Sequence, residues 1–476
     1  MLSQSNRPGK LVTALGADIL CLVEFACEEG LSQLFEIDVV AVSEGGDLDL
    51  DQLLGRPAHI ALDCGGLGRR FYHGLVLEAA WERAEAGLFY YRLTLRPWLY
   101  LLGKTTDCRI HHDMTVVDII RETLSRGGFA DYRFATTESY PTLHYTVQYR
   151  ETDLNFLCRL MEQHGIYYFF EHGAERHLLV FADSASAHVP APGQASVVFN
   201  PHLTADLKLP EPAIHAWRRL RLLRSGKFEL NDYNHLTPNA TLVGDRIAGE
   251  PYARSDFEVF DHPGPHAQQS DGARYARVRL EAEQAADKRR AAQGTVVALY
   301  AGCKTTLERH PQFSENDAWI AARVKSRFGR QYYRSSERED GQDSNFEAEY
   351  EFHRLALPFR APLVTRKPLV HSLQTAKVVG VAGEEIDCDD HGRILVHFFW
   401  DRHGDRSCRL RASQVWGGQN WGAQAIPRVG MEVMVAFIDG DPDRPIVVGC
   451  VVNPQTLPVP YELSANKTRM VWRSQR

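Results

Sequence analysis

The sequence predicts a mainly β chain with one α+β insertion and a small closed barrel of the OB type near its C terminus. Three observations carry that prediction. Short apolar runs bounded by Gly, Asp and Pro turns recur along most of the chain, and their side chains alternate at the period of two that a strand imposes. The period lengthens to that of a helix between about Thr105 and Phe181, and again in a polar stretch at Ala273–Gln293. Between Gln374 and Asn453, five short runs crowd into under about a hundred residues, a density that suits an OB barrel.

Taken in order, residues from about 10 to 102 read as strands. Leu34–Val40 alternates, Ala58–Leu62 is short, and Arg70–Leu77 and Leu88–Leu95 pair as a hairpin around Trp81–Gly87. Gly65-Gly-Leu-Gly68 has no helix behind it and reads as a hairpin turn, not a phosphate loop. The helical period then takes over. Thr115-Val-Val-Asp118 is a capping-box-like start, with Val117, Ile120 and Leu124 along one face and Gly127-Gly128 as the stop. A second helix starts at Thr152, carries Leu154, Leu157 and Met161, and stops at Gly165; Ile166–Phe170 and Leu178–Phe181 follow as a hairpin.

From Ile214 strands return at Trp217–Leu223, Phe257–Phe260, Thr295–Tyr300, Trp319–Arg327 and Glu347–Ala356. The helix Ala273–Gln293 interrupts them; its apolar stripe is thin, which places it on a surface or against a partner chain. Ser335–Asn345 reads as a polar loop.

The five runs of the C-terminal barrel are Ala376–Val381, Arg393–Trp400, Ser407–Ala412, Met431–Ile438 and Pro445–Val452. The turns between them are Asp390–Gly392, His403–Asp405, Gly417-Gly418 and Asp439–Asp443. Met431, Val433, Val435 and Phe437 share one face with Glu432 on the other; Cys408 and Leu410 face away from Arg409 and Arg411. Pro445 opens its strand, one of the few places a strand accepts proline. After Asn453 the chain turns thin and polar.

Composition narrows the function classes. Length allows about three domains, and 44% hydrophobic with 24% charged residues is globular composition. Net charge is −7 and no basic run tracks a phosphate backbone, so nucleic acid is not an expected partner. Nine cysteines, an odd number without a CxxC, point to reduced thiols and a cytosolic folding compartment; Cys408 and Cys450 are expected in the core. No apolar run approaches the length of a membrane span. Leu11–Cys27 is interrupted by Asp18 and Glu24 and lacks an Ala-x-Ala site, so no signal peptide is expected and any export bypasses the general secretory route.

Candidate sites weigh against chemistry. Asp387-x-Asp389-x-His391-Gly392 opens like a calcium loop, but its twelfth position is Phe398. Asp439-x-Asp441-x-Asp443 and Asp47-x-Asp49-x-Asp51 have Arg444 and Gln52 where glycine belongs. Solvated turns are the reading for all three. His111-His112 reads as loop before a helix, and no zinc, Walker or nucleophile-elbow motif occurs. Glu384-Glu385 would point to opposite faces of a strand, so they make no glycosidase pair. No cofactor, metal or catalytic residue is expected. Trp400, Trp416 and Trp421 remain open between barrel core and a buried contact between copies.

Longer motifs carry a resemblance to a known family. GEEIDCDDHGRILVHFFWDR (Gly383–Arg402), WGGQNW (Trp416–Trp421) with Gly422, IPRVGMEVMVAFIDGDPDRPIVVG (Ile426–Gly449) and Ala465–Thr468 resemble the type VI secretion spike family VgrG, itself similar to contractile phage tail hubs. Upstream, Gly87–Leu102 and Tyr140–His172 resemble it too. The resemblance implies two hub-like β-barrels (1–104 and 201–373) flanking the insertion (105–200), the OB barrel (374–453), and a neck (454–476) that starts a trimeric β-helix needle. It implies a homotrimer docked on the hexameric Hcp tube, tipped by a PAAR protein, contacting baseplate proteins and carrying effectors through adaptors. It would be cytoplasmic when assembled and then driven into a target cell by sheath contraction, with no stable membrane insertion. The motifs make Gly422, Pro427, Gly430, Asp441, Pro442, Asp443 and Pro445, with the three tryptophans, the structural or interface candidates. The alternatives are the hub of a phage or phage-derived tail, and a scaffold for an effector enzyme beyond residue 476.

Overall fold

The computed structural model describes residues 2–202, 212–329, 331–333, 346–404 and 406–474. The loop expected at Ser335–Asn345, and Asp405 of the expected turn, lie outside them. The chain forms two compact units, one of Met1–Lys104, Thr123–Tyr140 and Leu157–Thr365, the other of Thr105–Glu122, Pro141–Phe156 and Arg366–Arg476.

In the first unit a single twelve-stranded sheet contains a closed ring. From Ala318–Phe328 the pairing runs through Lys304–Glu308, Ser196–Phe199, Ala213–Arg219 and Arg290–Gly294 to Phe346–Arg354, which pairs back onto Ala318–Phe328. Closure abolishes the free edges that a sheet otherwise exposes. Trp319, Phe352, Ile214, Val197 and Leu307 fill the ring, because alternation turns every second side chain inward.

The other six strands run in the order Gly9–Val12, Pro57–Asp63, Arg69–Glu85, Leu88–Arg96, Gln33–Ser43, Cys21–Gly30, and the last of these pairs with Ala318–Phe328. Side chains stitch the seam between the first and last. Gln4 Oε1 accepts the N–H groups of Leu11 at 2.8 Å and Leu22 at 2.9 Å. Gln331 Nε2 donates to the carbonyls of Gly9 and Leu22, both at 3.0 Å. Both amides are buried, so the backbone groups they satisfy would otherwise be orphaned.

Helix α1 (Val116–Arg126) has the expected cap: Thr115 Oγ1 donates to Asp118 Oδ2 at 2.6 Å and accepts the Asp118 N–H at 3.2 Å. Its buried face is Val116, Ile119, Ile120 and Leu124, with Val117 only half-buried. Helix α2 (Asp153–His164) is capped by Thr152, whose Oγ1 accepts the Asn155 N–H, and stops at Gly165 with φ 76°. The hairpin Tyr167–His172 with His177–Ala182 follows as expected.

Several expectations are corrected. The helical period was expected from Thr105, but Thr106–Thr115 is a strand paired with Thr142–Thr152, so His111 and His112 lie on a strand, not a loop. Its polar sequence hides the alternation, which a partner some thirty residues on supplies. The loop Trp81–Gly87 shrinks to a two-residue turn at Ala86 and Gly87, both at positive φ, and Trp81–Glu85 continues the strand. Thr295–Tyr300 is an irregular segment: Val296, Leu299 and Tyr300 are apolar because they plug the ring. The strand expected at Trp217–Leu223 lies at Ala213–Arg219.

Helix α3 spans Gln269–Ala285 rather than 273–293. The ring claims Arg290–Gly294, and the Asp287 carboxylate stops the helix by accepting Arg221 Nε at 3.1 Å and the Leu222 N–H at 2.7 Å. Tyr275, Ala276 and Leu280 are buried against Phe228 and Leu230, so the helix is docked on its own chain, its stripe thin but covered.

In the second unit the order Leu395–Phe398, Gln374–Val379, Glu432–Phe437, Pro445–Val451 forms a four-stranded sheet. The run Ser407–Ala412 closes it: Leu410 exchanges backbone hydrogen bonds with Ile394 at 2.8 and 2.9 Å, and Val447 N–H donates to Arg411 O at 2.9 Å. Val433, Val435 and Phe437 point inward as expected, beside Ala376, Val396 and Leu410. Cys408 packs on this core, but Cys450 is exposed. A register shift falls where Met434 and Val435 meet this strand, and Val447 is the residue it sends into the core. Glu384-Glu385 sit in an irregular segment, not a strand, and Glu385 pairs with Arg428 at 2.9 Å.

Candidate assembly surface

Trp400, Trp416 and Trp421, grouped by sequence, separate in space. Trp400 stacks on Phe398 with ring centroids 5.0 Å apart, meets Tyr149 edge-on at 5.7 Å and donates Nε1–H to Gln374 Oε1 at 2.7 Å. Its indole is satisfied at both the apolar and the polar end within the chain. Trp416 and Trp421 are 66% and 56% exposed and touch each other, centroids 4.9 Å apart.

Their carrier is a small hairpin. Gly417-Gly418, expected as a turn, is a strand paired with Trp421-Gly422, and the turn lies at Gln419-Asn420, with Asn420 at φ 62°. Gly422 sits at φ 127°, where a Cβ would come within 2.6 Å of both Gly417 Cα and Trp416 O. That close approach admits only glycine. The Trp421 indole covers Gly418, and Gln414 clasps the base by accepting the Ala425 N–H at 2.8 Å. Pro427 is buried where the segment returns to the barrel, and Gly430 takes φ 89° while its N–H donates to Val378 O.

The aspartates are occupied by cations and amides of their own chain. Lys367 Nζ lies 2.6 Å from both Asp441 Oδ1 and Asp443 Oδ2, and Asp443 Oδ1 accepts the Val147 N–H at 2.6 Å. Burial pushes the Asp441 carboxyl up, but the Lys367 ammonium and hydrogen bonds hold it below the usual range. Pro442 is buried within this turn and Pro445 opens the next strand. Asp387 pairs with Arg409 at 2.6 Å and Asp389 with Arg393 at 2.6 Å. Among the described residues no group of three His, Cys, Asp or Glu side chains is arranged to hold a metal.

Sequence reasoning missed two buried polar clusters in the first unit. His177 Nε2 accepts the Trp98 N–H at 3.0 Å, which leaves Nδ1 to carry the proton toward His73 Nδ1, also 3.0 Å away; His172 Nδ1 accepts the His73 N–H. Burial holds the His73 and His177 rings down at about 4 and about 3. Neutral, buried imidazoles orient backbone here, and of the three His172 also lines a small cavity with Arg70, Glu171 and Tyr300. The second cluster centres on Arg360, 4% exposed, which donates to Glu281 and Glu138 (each 2.8 Å) and to the carbonyls of Gly165 (2.8 Å) and Asp183 (2.5 Å). No sequence motif signals either, because their members lie far apart along the chain.

One concavity, of about 860 Å³, is lined by Glu28, Glu36, Asp38, Arg96, Lys325 and Glu349 among others. Its charges are largely paired, Arg96 with Glu36 and Lys325 with Glu28 at 3.1 Å. Among the described residues no helix is long and apolar enough to cross a membrane.

Comparison with known proteins agrees with this architecture. A family model described as phage tail baseplate hub (GPD) matches residues 28–332, and one described as type VI secretion system/phage-baseplate injector OB domain matches 374–451. The type VI secretion system spike protein VgrG1a of Pseudomonas aeruginosa is 40% identical over 459 residues, covering 96% of this chain and 71% of its own length. VgrG1b of the same organism is 39% identical, covering 98% of this chain and 63% of its own, so the chain is shorter than the relatives it matches. Among solved structures, the Escherichia coli c3393 protein, described as a type VI secretion component similar to the T4 tail proteins gp27 and gp5, aligns with TM-score 0.66 at 19% identity, covering 93% of this chain and all of that one. VgrG in a Francisella PdpA–VgrG complex aligns with TM-score 0.58 at 10% identity over 94% of this chain and 70% of that one, which shows a shared fold.

Proposed function

Because the chain belongs to the VgrG family of type VI secretion spike proteins, we propose that it is the part of the puncturing device that joins a sixfold tube to a threefold point. It is a structural spike, a reading supported by relatives named as spike proteins and by the match to a baseplate-hub family. Three copies assemble by cyclic symmetry. One observation carries the reading: each chain builds a closed six-stranded ring and, on the same sheet, a second set of six strands with a stitched seam. Two barrels per chain in three copies give six similar bodies, the number a hexameric tube of Hcp presents.

Residues 1–104 serve as one base barrel and 201–373, completed by the strand Ser196–Phe199, as the other; the rest of 105–200 serves as the insertion, 374–453 as the coupling barrel and 454–476 as the neck. A PAAR tip, effectors with their adaptors, and baseplate proteins are the remaining partners, and sheath contraction carries the spike out. The buried, charge-paired polar clusters fit a part that needs rigidity more than tuned acidity. The family's likeness to phage tails leaves a tail hub as the second reading, and an effector enzyme in a longer chain would leave this span a scaffold.

The test is the mass of the purified protein in solution and its co-migration with the tube protein. Three times the chain mass, and a complex with tube hexamers, are expected. A stable monomer at tens of micromolar that ignores the tube overturns the reading.

A further inference from the structure

We propose that the tryptophan hairpin, residues 412–427, is the surface through which copies of this chain touch one another around their symmetry axis. The inference rests on the multi-copy reading above and adds the residues and the chemistry of the contact. From Ala412 to Pro427 sixteen consecutive residues include no Asp, Glu, Lys, Arg or His, in a chain where 24% of residues are charged. One position in four would ordinarily carry a charge, and exposed hairpins are where charges usually concentrate.

A rotation axis explains the gap. A side chain near such an axis faces its own copies, so any charge there meets the same charge, at a cost of several kcal/mol when water is excluded. A foreign partner imposes no such rule, since its surface can supply the opposite sign. A neutral face that displays amide groups can hydrogen-bond to itself, and Gln419, Asn420 and Gln424 are all exposed.

The apolar content fits the same role. Val415 is 84% exposed, beside Trp416 and Trp421. Indoles of this size bury roughly 150–250 Å² each, and Trp is enriched at the energetic centre of interfaces. The display is fixed in advance: Gly422 at φ 127°, the indole lying over Gly418, and the Gln414 clasp leave little to order on association. Phe313, 87% exposed, offers a contrast: it sits between Gln312 and Ser314 with Glu315 and His310 nearby.

The test is sedimentation of the full chain over a concentration series, with Trp416→Glu, Gln419→Glu, Gln419→Lys and the control Phe313→Glu, each checked for an unchanged thermal melt. Gln419 lies at the exposed tip, so its variants keep both tryptophans and the fold. The expected result is at least about a tenfold rise in the concentration for half-assembly, some 1.4 kcal/mol, for Trp416→Glu and for both Gln419 variants. Mixing the Gln419→Glu and Gln419→Lys proteins should recover part of the loss, and Phe313→Glu should change nothing. An assembling wild type whose Trp416 and Gln419 variants assemble equally well overturns the hairpin's role and leaves the spike reading standing. A weakening by one sign of charge and a strengthening by the other places Gln419 against an unlike, charged surface of another copy and overturns contact of like faces around the axis. A monomeric wild type removes the spike reading itself.

Discussion

Asp443 accepts the backbone N–H of Val147 at 2.6 Å across 296 residues of sequence, while its second oxygen holds Lys367. A motif aspartate singled out as an interface candidate thus fastens the barrel's last turn to the strand Thr142–Thr152 of the same unit. Asp443→Ala leaves the Val147 amide without its acceptor and Lys367 with Asp441 alone, and should cost about 1–3 kcal/mol in urea unfolding. A change within error would show that water replaces the carboxylate at no cost.

Arg360→Met should be the most destabilising single change in the first unit. It strips Glu138 and Glu281 of a buried cation and two carbonyls of their donor, a loss of about 3–5 kcal/mol. The melting midpoint measures it, and Glu138→Gln should lose less because Arg274 and Arg277 also serve that carboxylate and would be left partly exposed.

Stability should fall as pH drops below 6.5. His73, His188 and His353 are held at about 4, and His164 and His177 at about 3, each by burial, against 6.5 for the free ring. Above 6.5 neither state binds these protons. Between 6.5 and about 4 the unfolded chain takes them up and the folded chain does not, so unfolding gains on acidification. Denaturant midpoints from pH 8 to 4.5 should decline, and His177→Gln should flatten the slope. A flat wild-type profile contradicts the assignment of neutral rings.

Gly422→Ala should spoil the hairpin without unfolding the barrel. Its Cβ would collide with Gly417 and Trp416 backbone at a φ that costs about 1–3 kcal/mol for other residues. The coupled near-ultraviolet dichroism of the Trp416–Trp421 pair should vanish while the thermal midpoint moves by a few degrees at most.

Thr115→Ala removes both bonds of the α1 cap and should cost about 1 kcal/mol. Thr115→Ser should retain most of it.

Local signals were legible wherever one residue and its near neighbours decide the outcome. The Thr115–Asp118 cap, the stops at Gly128 and Gly165, the inward Val433, Val435 and Phe437, and Pro445 at a strand start all follow from backbone and side-chain preferences within a turn or two. The strand Thr106–Thr115 was illegible because its polar side chains hide the alternation that pairing with Thr142–Thr152 restores. Thr295–Tyr300 looked like a strand because burial, whatever the backbone does, selects apolar residues. The length of α3 was overread because Arg290–Gly294 has helical composition but is claimed by the ring.

The sequence by itself determined most element types, the OB barrel's runs and the membership of the spike family, since periodicity, turn residues and motif order are one-dimensional quantities. Tertiary structure alone decided that the ring closes, that Gln4 and Gln331 replace a missing ladder, that Trp400 goes inward while Trp416 and Trp421 face out, and that Asp443 reaches Val147. Those outcomes depend on which distant segments share space, and the free energy of burying or pairing a side chain is set by neighbours that the order of residues does not name.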